Sequence, residues 1–191
     1  MAQRASELPS YRTHAPSRVW RGMLVLAALT LAASAARAQE TRARISLPGW
    51  RAPFPIEDVV IDVSLDAPSG KAFTAIAGAF DDLKIPVDTR DSVAGLIGSM
   101  RILPSGSLGG LRLSRILDCG QGPTGAPNAE SYRLTVVLLV LLDPIDASHT
   151  KVRIGLVASG QEPGGSNRIQ CGSSGRMEEV LQQTAAKRLS K

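Results

Sequence analysis

The chain is 191 residues long with 43% hydrophobic and 20% charged residues, which suits one ordinary globular domain and excludes a disordered or fibrous chain. Its formal charge of +5 would point to a nucleic-acid partner if it lay on the folded part, yet five of the 22 Lys and Arg and one of the 17 Asp and Glu fall in residues 1–38. The remaining 17 bases and 16 acids leave residues 39–191 at +1, so no nucleic acid is expected as a partner.

Residues 1–38 read as a cleavable export signal. Arg12, Arg18 and Arg21 form a positive region, Met23 to Ala36 is apolar or small throughout, and Ala36-Arg37-Ala38 fits the small-x-small pattern of a signal-peptidase site. Cleavage after Ala38 leaves Gln39 first. The apolar run of 14 residues falls short of the roughly 20 that a membrane-spanning helix needs, and no Cys follows it to carry a lipid. The expected location is the periplasm, with secretion as the alternative, and no transmembrane span is expected in the mature chain. Cys119 and Cys171, an even pair in an oxidising compartment, are expected to form one disulfide.

Residues 39–55 combine Pro48, Pro53 and Pro55 with Arg42, Arg44 and Arg51 and show no steady period, which predicts an N-terminal arm. Trp50 and Phe54 within it are candidate docking aromatics. From Val59 to Leu65 apolar and polar residues alternate as in a half-buried strand. Asp66-Ala67-Pro68-Ser69 then predicts the start of a helix whose stripe of Ala72, Phe73, Ile76, Ala77, Phe80 and Leu83 faces a core and which ends near Lys84. Ile85 to Val87 is expected as a short strand, 88–94 as a turn, Leu96 to Leu103 as its partner strand, and 104–110 as a loop.

Residues 111–118 fit either a short strand or one helical turn, and 120–128 read as a further loop. Tyr132 to Leu142, the most apolar run of the mature chain, suits a central strand, and Thr150 to Ala158 its hairpin partner. Arg168 to Cys171 is expected as a last strand. Ser173 or Ser174 then caps a final helix with Met177, Val180, Leu181, Thr184, Ala185 and Leu189 inward and Glu178 and Glu179 on its solvated first turn. The fold class is therefore α+β: a single antiparallel sheet of about five to six strands with two helices on one face, β-α-β-β-β-β-β-α, spanning 56–191 as one domain.

The segment Pro68 to Ile102 combines a helix ending in Leu83-x-Ile85-Pro86-Val87, an acidic turn with Asp88 and Asp91, and Ala94-Gly95-Leu96-Ile97. It resembles the repeat unit of helix-grip domains in BamC-type outer-membrane assembly lipoproteins and related periplasmic proteins. The resemblance covers about 35 of 153 mature residues and implies an envelope accessory protein that binds another protein and has no catalytic residues. The lipidated Cys of those lipoproteins is missing here.

No catalytic set, metal site or cofactor is expected from the residues. His149 is the one histidine of residues 39–191, and Asp146, Ser148 and His149 share one predicted turn where they cannot line up as a relay. One His and two distant Cys show no ligand spacing. The junction Cys171-Gly172-Ser173-Ser174-Gly175 has neither P-loop nor nucleophile-elbow spacing, which leaves helix capping or an anion contact at Ser173 and Ser174. The function expected is a non-enzymatic envelope accessory domain whose partner is another envelope protein, with a small apolar ligand or lipid as the alternative.

Overall fold

The structure, a computed structural model, describes residues 43–190. The predicted signal peptide, its cleavage site and Gln39 to Arg42 lie outside the described residues. The order of elements is β1 (Arg44–Ile45), β2 (Phe54–Pro55), a 3-10 turn (Ile56–Val59), β3 (Val60–Leu65), α1 (Ser69–Asp82), β4 (Thr89–Asp91) and β5 (Leu96–Ile102). There follow β6 (Ser107–Leu108), β7 (Leu111–Arg112), α2 (Leu113–Ile116), β8 (Leu117–Asp118) and α3 (Asn128–Ser131). The chain closes with β9 (Arg133–Pro144), β10 (Thr150–Gln161), β11 (Arg168–Ser173) and α4 (Arg176–Leu189).

Seven of these strands form one antiparallel sheet around the long hairpin of β9 and β10, which pair from Thr150↔Pro144 to Gln161↔Arg133. Outside β9 lie β5 and then β4. The other side of β10 is shared: β3 pairs with its first half, Thr150 to Gly155, and β11 with its last four residues, Ala158 to Gln161. β8 closes the sheet beyond β11. The disulfide between Cys119 and Cys171 ties the chain after β8 to β11, with the two Cα atoms 4.3 Å apart.

The run Leu134 to Leu142 is apolar because both of its faces are buried. Leu134, Val136, Leu138, Val140 and Leu142 point to the core beneath α1 and α4, and Val137, Leu139 and Leu141 to a second core on the opposite face. At roughly 1.5–3 kcal/mol for each buried Val or Leu, this strand is the main anchor of both layers. On the helix side α1 buries Ala72, Phe73, Ile76, Ala77 and Phe80 as expected, and also Ala75, Gly78 and Ala79, because its small-residue side packs against α4. Arg188 of α4 lies across Gly78 and reaches Asp82 with two hydrogen bonds of 2.7 Å.

Several local expectations are corrected. The segment read as an arm is part of the fold: Ile45 and Leu47 are buried in the second core with Ile56, and Arg44–Ile45 pairs with Phe54–Pro55. The strand after α1 begins at Thr89, beyond Ile85 to Val87, because Pro86 has no amide to donate to a ladder. The turn that follows is held by Asp91, whose carboxylate accepts the amides of Val93 and Ala94 at 2.9 Å. Residues 111–118 are both alternatives in succession: strand, one helical turn, strand. The loop 104–110 contributes β6, which pairs with β7.

The start of α4 also differs. Its N-cap is Gly175 in the left-handed region at φ 84°, with no side-chain cap. Glu178, expected on a solvated face, is 1% exposed beside Met177, Leu181 and Ala185, whereas Glu179 is solvated and pairs with Arg176. One turn of helix carries Glu178 round to the same side as Leu181 and Ala185, and the carboxyl follows the backbone into the core.

Candidate functional site

The second face of the sheet is covered by residues 43–59, which cross it as a strap. A Pro48-Gly49 turn positions the middle of the strap: the Trp50 amide donates to Leu47 O at 3.1 Å, and Gly49 takes φ 87°, the conformation a type II turn needs at that place. The sheet grips this turn by its carbonyls. Ser159 of β10 donates its hydroxyl to Pro48 O, and Gln170 Nε2 of β11 donates to Gly49 O at 3.3 Å. The aliphatic stem of Arg168 runs against Gly49, where a β-carbon would meet its Cβ at 3.0 Å.

Immediately after the turn the two candidate docking aromatics come together. Trp50 and Phe54 stack with ring centroids 4.3 Å apart and planes 27° from parallel, a favourable offset geometry. They line a surface groove of about 420 Å³ with Arg51, Ala52, Asp58, Val59 and Gln170. Phe54 and Trp50 are half-buried, packed on one side against the second core and open on the other. The indole Nε1 of Trp50 is buried and has no acceptor among the described residues. A buried donor left without a partner costs roughly 1–3 kcal/mol.

The other residues singled out from the sequence lie apart from this groove. Asp146, Ser148 and His149 do meet in the β9–β10 turn, but Ser148 Oγ (3.0 Å) and Asp146 Oδ2 (2.8 Å) both contact the same ring nitrogen, His149 Nδ1, so they do not form a relay through the ring. The Asp146 carboxyl is lowered to about 2 by the Ser148 amide first, then by the His149 ring and the Ser148 hydroxyl. That is turn chemistry. Among the described residues no group of three or more His, Cys, Asp or Glu is placed to hold a metal ion, and no helix is long and apolar enough to cross a membrane.

Ser173 and Ser174 are engaged within the fold. Ser173 Oγ accepts the Gly175 amide at 3.0 Å, while Ser174 donates its hydroxyl to Arg115 O at 2.7 Å and its amide to Ile116 O at 3.0 Å. These bonds tie α2 to the start of α4. Near them Glu178, whose carboxyl oxygens are buried with no well-formed hydrogen bond among the described residues, is pushed above the ordinary carboxylate range by burial, with the nearby Ser173 hydroxyl opposing the shift. Sequence reading missed this group, although its spacing of three and seven residues from Leu181 and Ala185 was the available signal.

No family model, curated protein or solved structure matches this chain.

Proposed function

We propose that this chain is an exported, non-catalytic accessory protein of the cell envelope that docks another envelope protein in the groove beside Trp50 and Phe54. The observation that carries the reading is the stacked aromatic pair at a surface groove, held on a turn that two strands fix by its carbonyls. Large aromatics fixed at low entropic cost are the usual anchors of protein interfaces. The leader of residues 1–38 supplies the address, the periplasm with secretion as the alternative. The likeness of Pro68 to Ile102 to helix-grip domains of BamC-type lipoproteins supplies the class, and two helices against one face of an antiparallel sheet agree with it in outline.

A photo-crosslinking residue at position 52, on the groove wall, and another at Leu103, 65% exposed, test the reading in living cells of the host. Crosslinks to one discrete envelope protein are expected from position 52 and not from 103. Equal capture from both positions, or none from 52, overturns it. Between helices and sheet the core is occupied by Phe80, Ile76, Leu138, Leu156 and Met177, so the alternative occupant, a small apolar ligand, would also be sought in this groove, by native mass spectrometry.

A further inference from the structure

We propose that β3 is a dimerisation edge: it pairs antiparallel with β3 of a second copy of this chain about a twofold axis at Val63, and Ile61 of each copy enters the groove between β3 and α4 of the other. The inference goes beyond the docking reading above, whose groove lies on the strap.

β3 presents the longest open strand edge among the described residues. It pairs with β10 alone, and the row that β8 begins beyond β11 is unfilled beside it. The other outermost strands, β4 and β8, have three and two residues against six in β3, and an open edge of that length is a template for another strand. The β9–β10 turn decides which backbone groups are open. Ile145 N donates to His149 O at 3.0 Å and Pro144, opposite Thr150, has no amide, so Thr150 turns its N–H and C=O away from β9 and toward Leu65. By alternation Leu65, Val63 and Ile61 bond inward to β10, while Asp62 and Ser64 turn outward. The outward N–H and C=O of Asp62 and Ser64 have no hydrogen bond among the described residues, and both residues are exposed.

A twofold axis at Val63 satisfies all of these groups at once. It sets Asp62 of each copy opposite Ser64 of the other, and each such pair exchanges two backbone bonds. The carboxylate then faces a hydroxyl and keeps its own Lys151 at 2.6 Å. An axis at Asp62 would instead set like charges directly opposite each other. The Val63 axis also brings Ile61 opposite Leu65 of the other copy, on the helix side of the sheet where Val63 and Leu65 meet the core. Ile61 is an apolar side chain left 40% exposed, and beside Leu65 lies a groove of about 300 Å³ whose walls include Gln182, Ala186 and Leu189. One copy therefore supplies both the projection and the recess, as a closed twofold contact requires. α4 runs in the same direction as β3, with Gly175 beside Ile61 and Leu189 beside Leu65. The axis turns the two α4 helices antiparallel, so their dipoles oppose and Glu179 in the first turn of one lies toward Lys187 in the last turn of the other.

The test measures the mass of the protein, purified from its host, by light scattering over a dilution series. Twice the chain mass is expected at high concentration, with the amides of Asp62 and Ser64 slow to exchange hydrogen there and fast on dilution. Ile61→Glu puts a charge into the groove and should raise the dimer dissociation constant about tenfold or more, with circular dichroism like that of the parent. Val63→Cys should form a disulfide between copies on oxidation, because opposite residues of a non-bonded antiparallel pair have Cα atoms about 4.5 Å apart, within disulfide reach. Ile61→Cys should not, since Ile61 faces Leu65 and not its own counterpart. A monomer at every concentration, a dimer that Ile61→Glu leaves unchanged, or crosslinking of Ile61→Cys as readily as Val63→Cys overturns the proposal. Protection of the Asp62 and Ser64 amides only in host extract would give the edge to a different protein and overturns it equally.

Discussion

Ile56 occupies the space that a side chain at Gly155 would need. A β-carbon on Gly155 would overlap Cδ1 of Ile56 and lie 3.1 Å from its Cγ1, and Ile56 is fully buried there with its amide bonded to Ala43 O at 3.0 Å. The strap is therefore seated by a glycine in the middle of β10. Gly155→Ala is expected to cost about 1–3 kcal/mol through overpacking, read as a lower urea midpoint. Ile56→Val should cost about 0.5–1.5 kcal/mol alone and less in the Gly155→Ala background, since the smaller side chain makes room. Additive losses in the double-mutant cycle would show that the two residues do not share this space.

The strap also marks the limit of what the sequence shows directly. The elements with a repeat were legible: Val59 to Leu65, the helix expected to start at Asp66-Ala67-Pro68-Ser69 and end near Lys84, and Tyr132 to Leu142 correspond to β3, α1 and β9 within a few residues. Residues 43–59 have no repeat because they meet the sheet through separate anchors, Ile45, Leu47 and Ile56, spaced by the Pro48-Gly49 turn and not by a helix or strand period. An indirect signal existed. An unbroken apolar run from Leu134 to Leu142 requires cover on both faces, and two helices on one face leave the other to be covered by something else in the chain. The groove was half legible: Trp50 and Phe54 were singled out by type, whereas Arg168 and Gln170 became neighbours of the strap only through strand register.

Lys84 is the one described non-glycine residue in the left-handed region, at φ 53°, and it ends α1 with the Ile85 amide bonded to Phe80 O at 2.9 Å. This is the position where helices usually place glycine. A side chain there costs roughly 1–2 kcal/mol, part of which glycine returns as extra freedom of the unfolded chain. Lys84→Gly is expected to stabilise the protein by about 0.5–1 kcal/mol in urea denaturation. Lys84→Ala, which keeps the β-carbon, should give no gain.

Glu178 makes stability depend on pH in a direction opposite to most carboxylates. Burial raises its carboxyl in the folded protein above its ordinary value of 4.5, so the folded state holds the proton more tightly than the unfolded one. This contribution is at its most favourable below pH 4.5, declines as pH rises from there to the raised folded value, and stays unfavourable beyond it. Glu178→Gln keeps the shape and cannot ionise. It should be more stable than the parent at pH 7, with the advantage shrinking towards pH 4 in parallel urea titrations. An advantage that did not change with pH would assign the effect to packing instead of charge.

The disulfide should carry a large share of the stability because of what it encloses. Cys119 and Cys171 are 52 residues apart, and the loop they close contains the whole β9–β10 hairpin around which the sheet is built. Cross-linking across such a loop stabilises by roughly 4 kcal/mol in the chain-entropy model, against about 5–15 kcal/mol for a typical domain. Cys119→Ala/Cys171→Ala is expected to lose about that amount in urea, with a larger denaturant slope because the unfolded chain expands once the loop is open. Both sulfurs are buried, Cys171 completely, so a reductant in native buffer should act slowly and only through unfolding. Rapid reduction of the native protein by a mild thiol would show that the bridge opens locally, and the start of α4, five residues after Cys171, would then be held by the Ser174 bonds to α2 and not by the cystine.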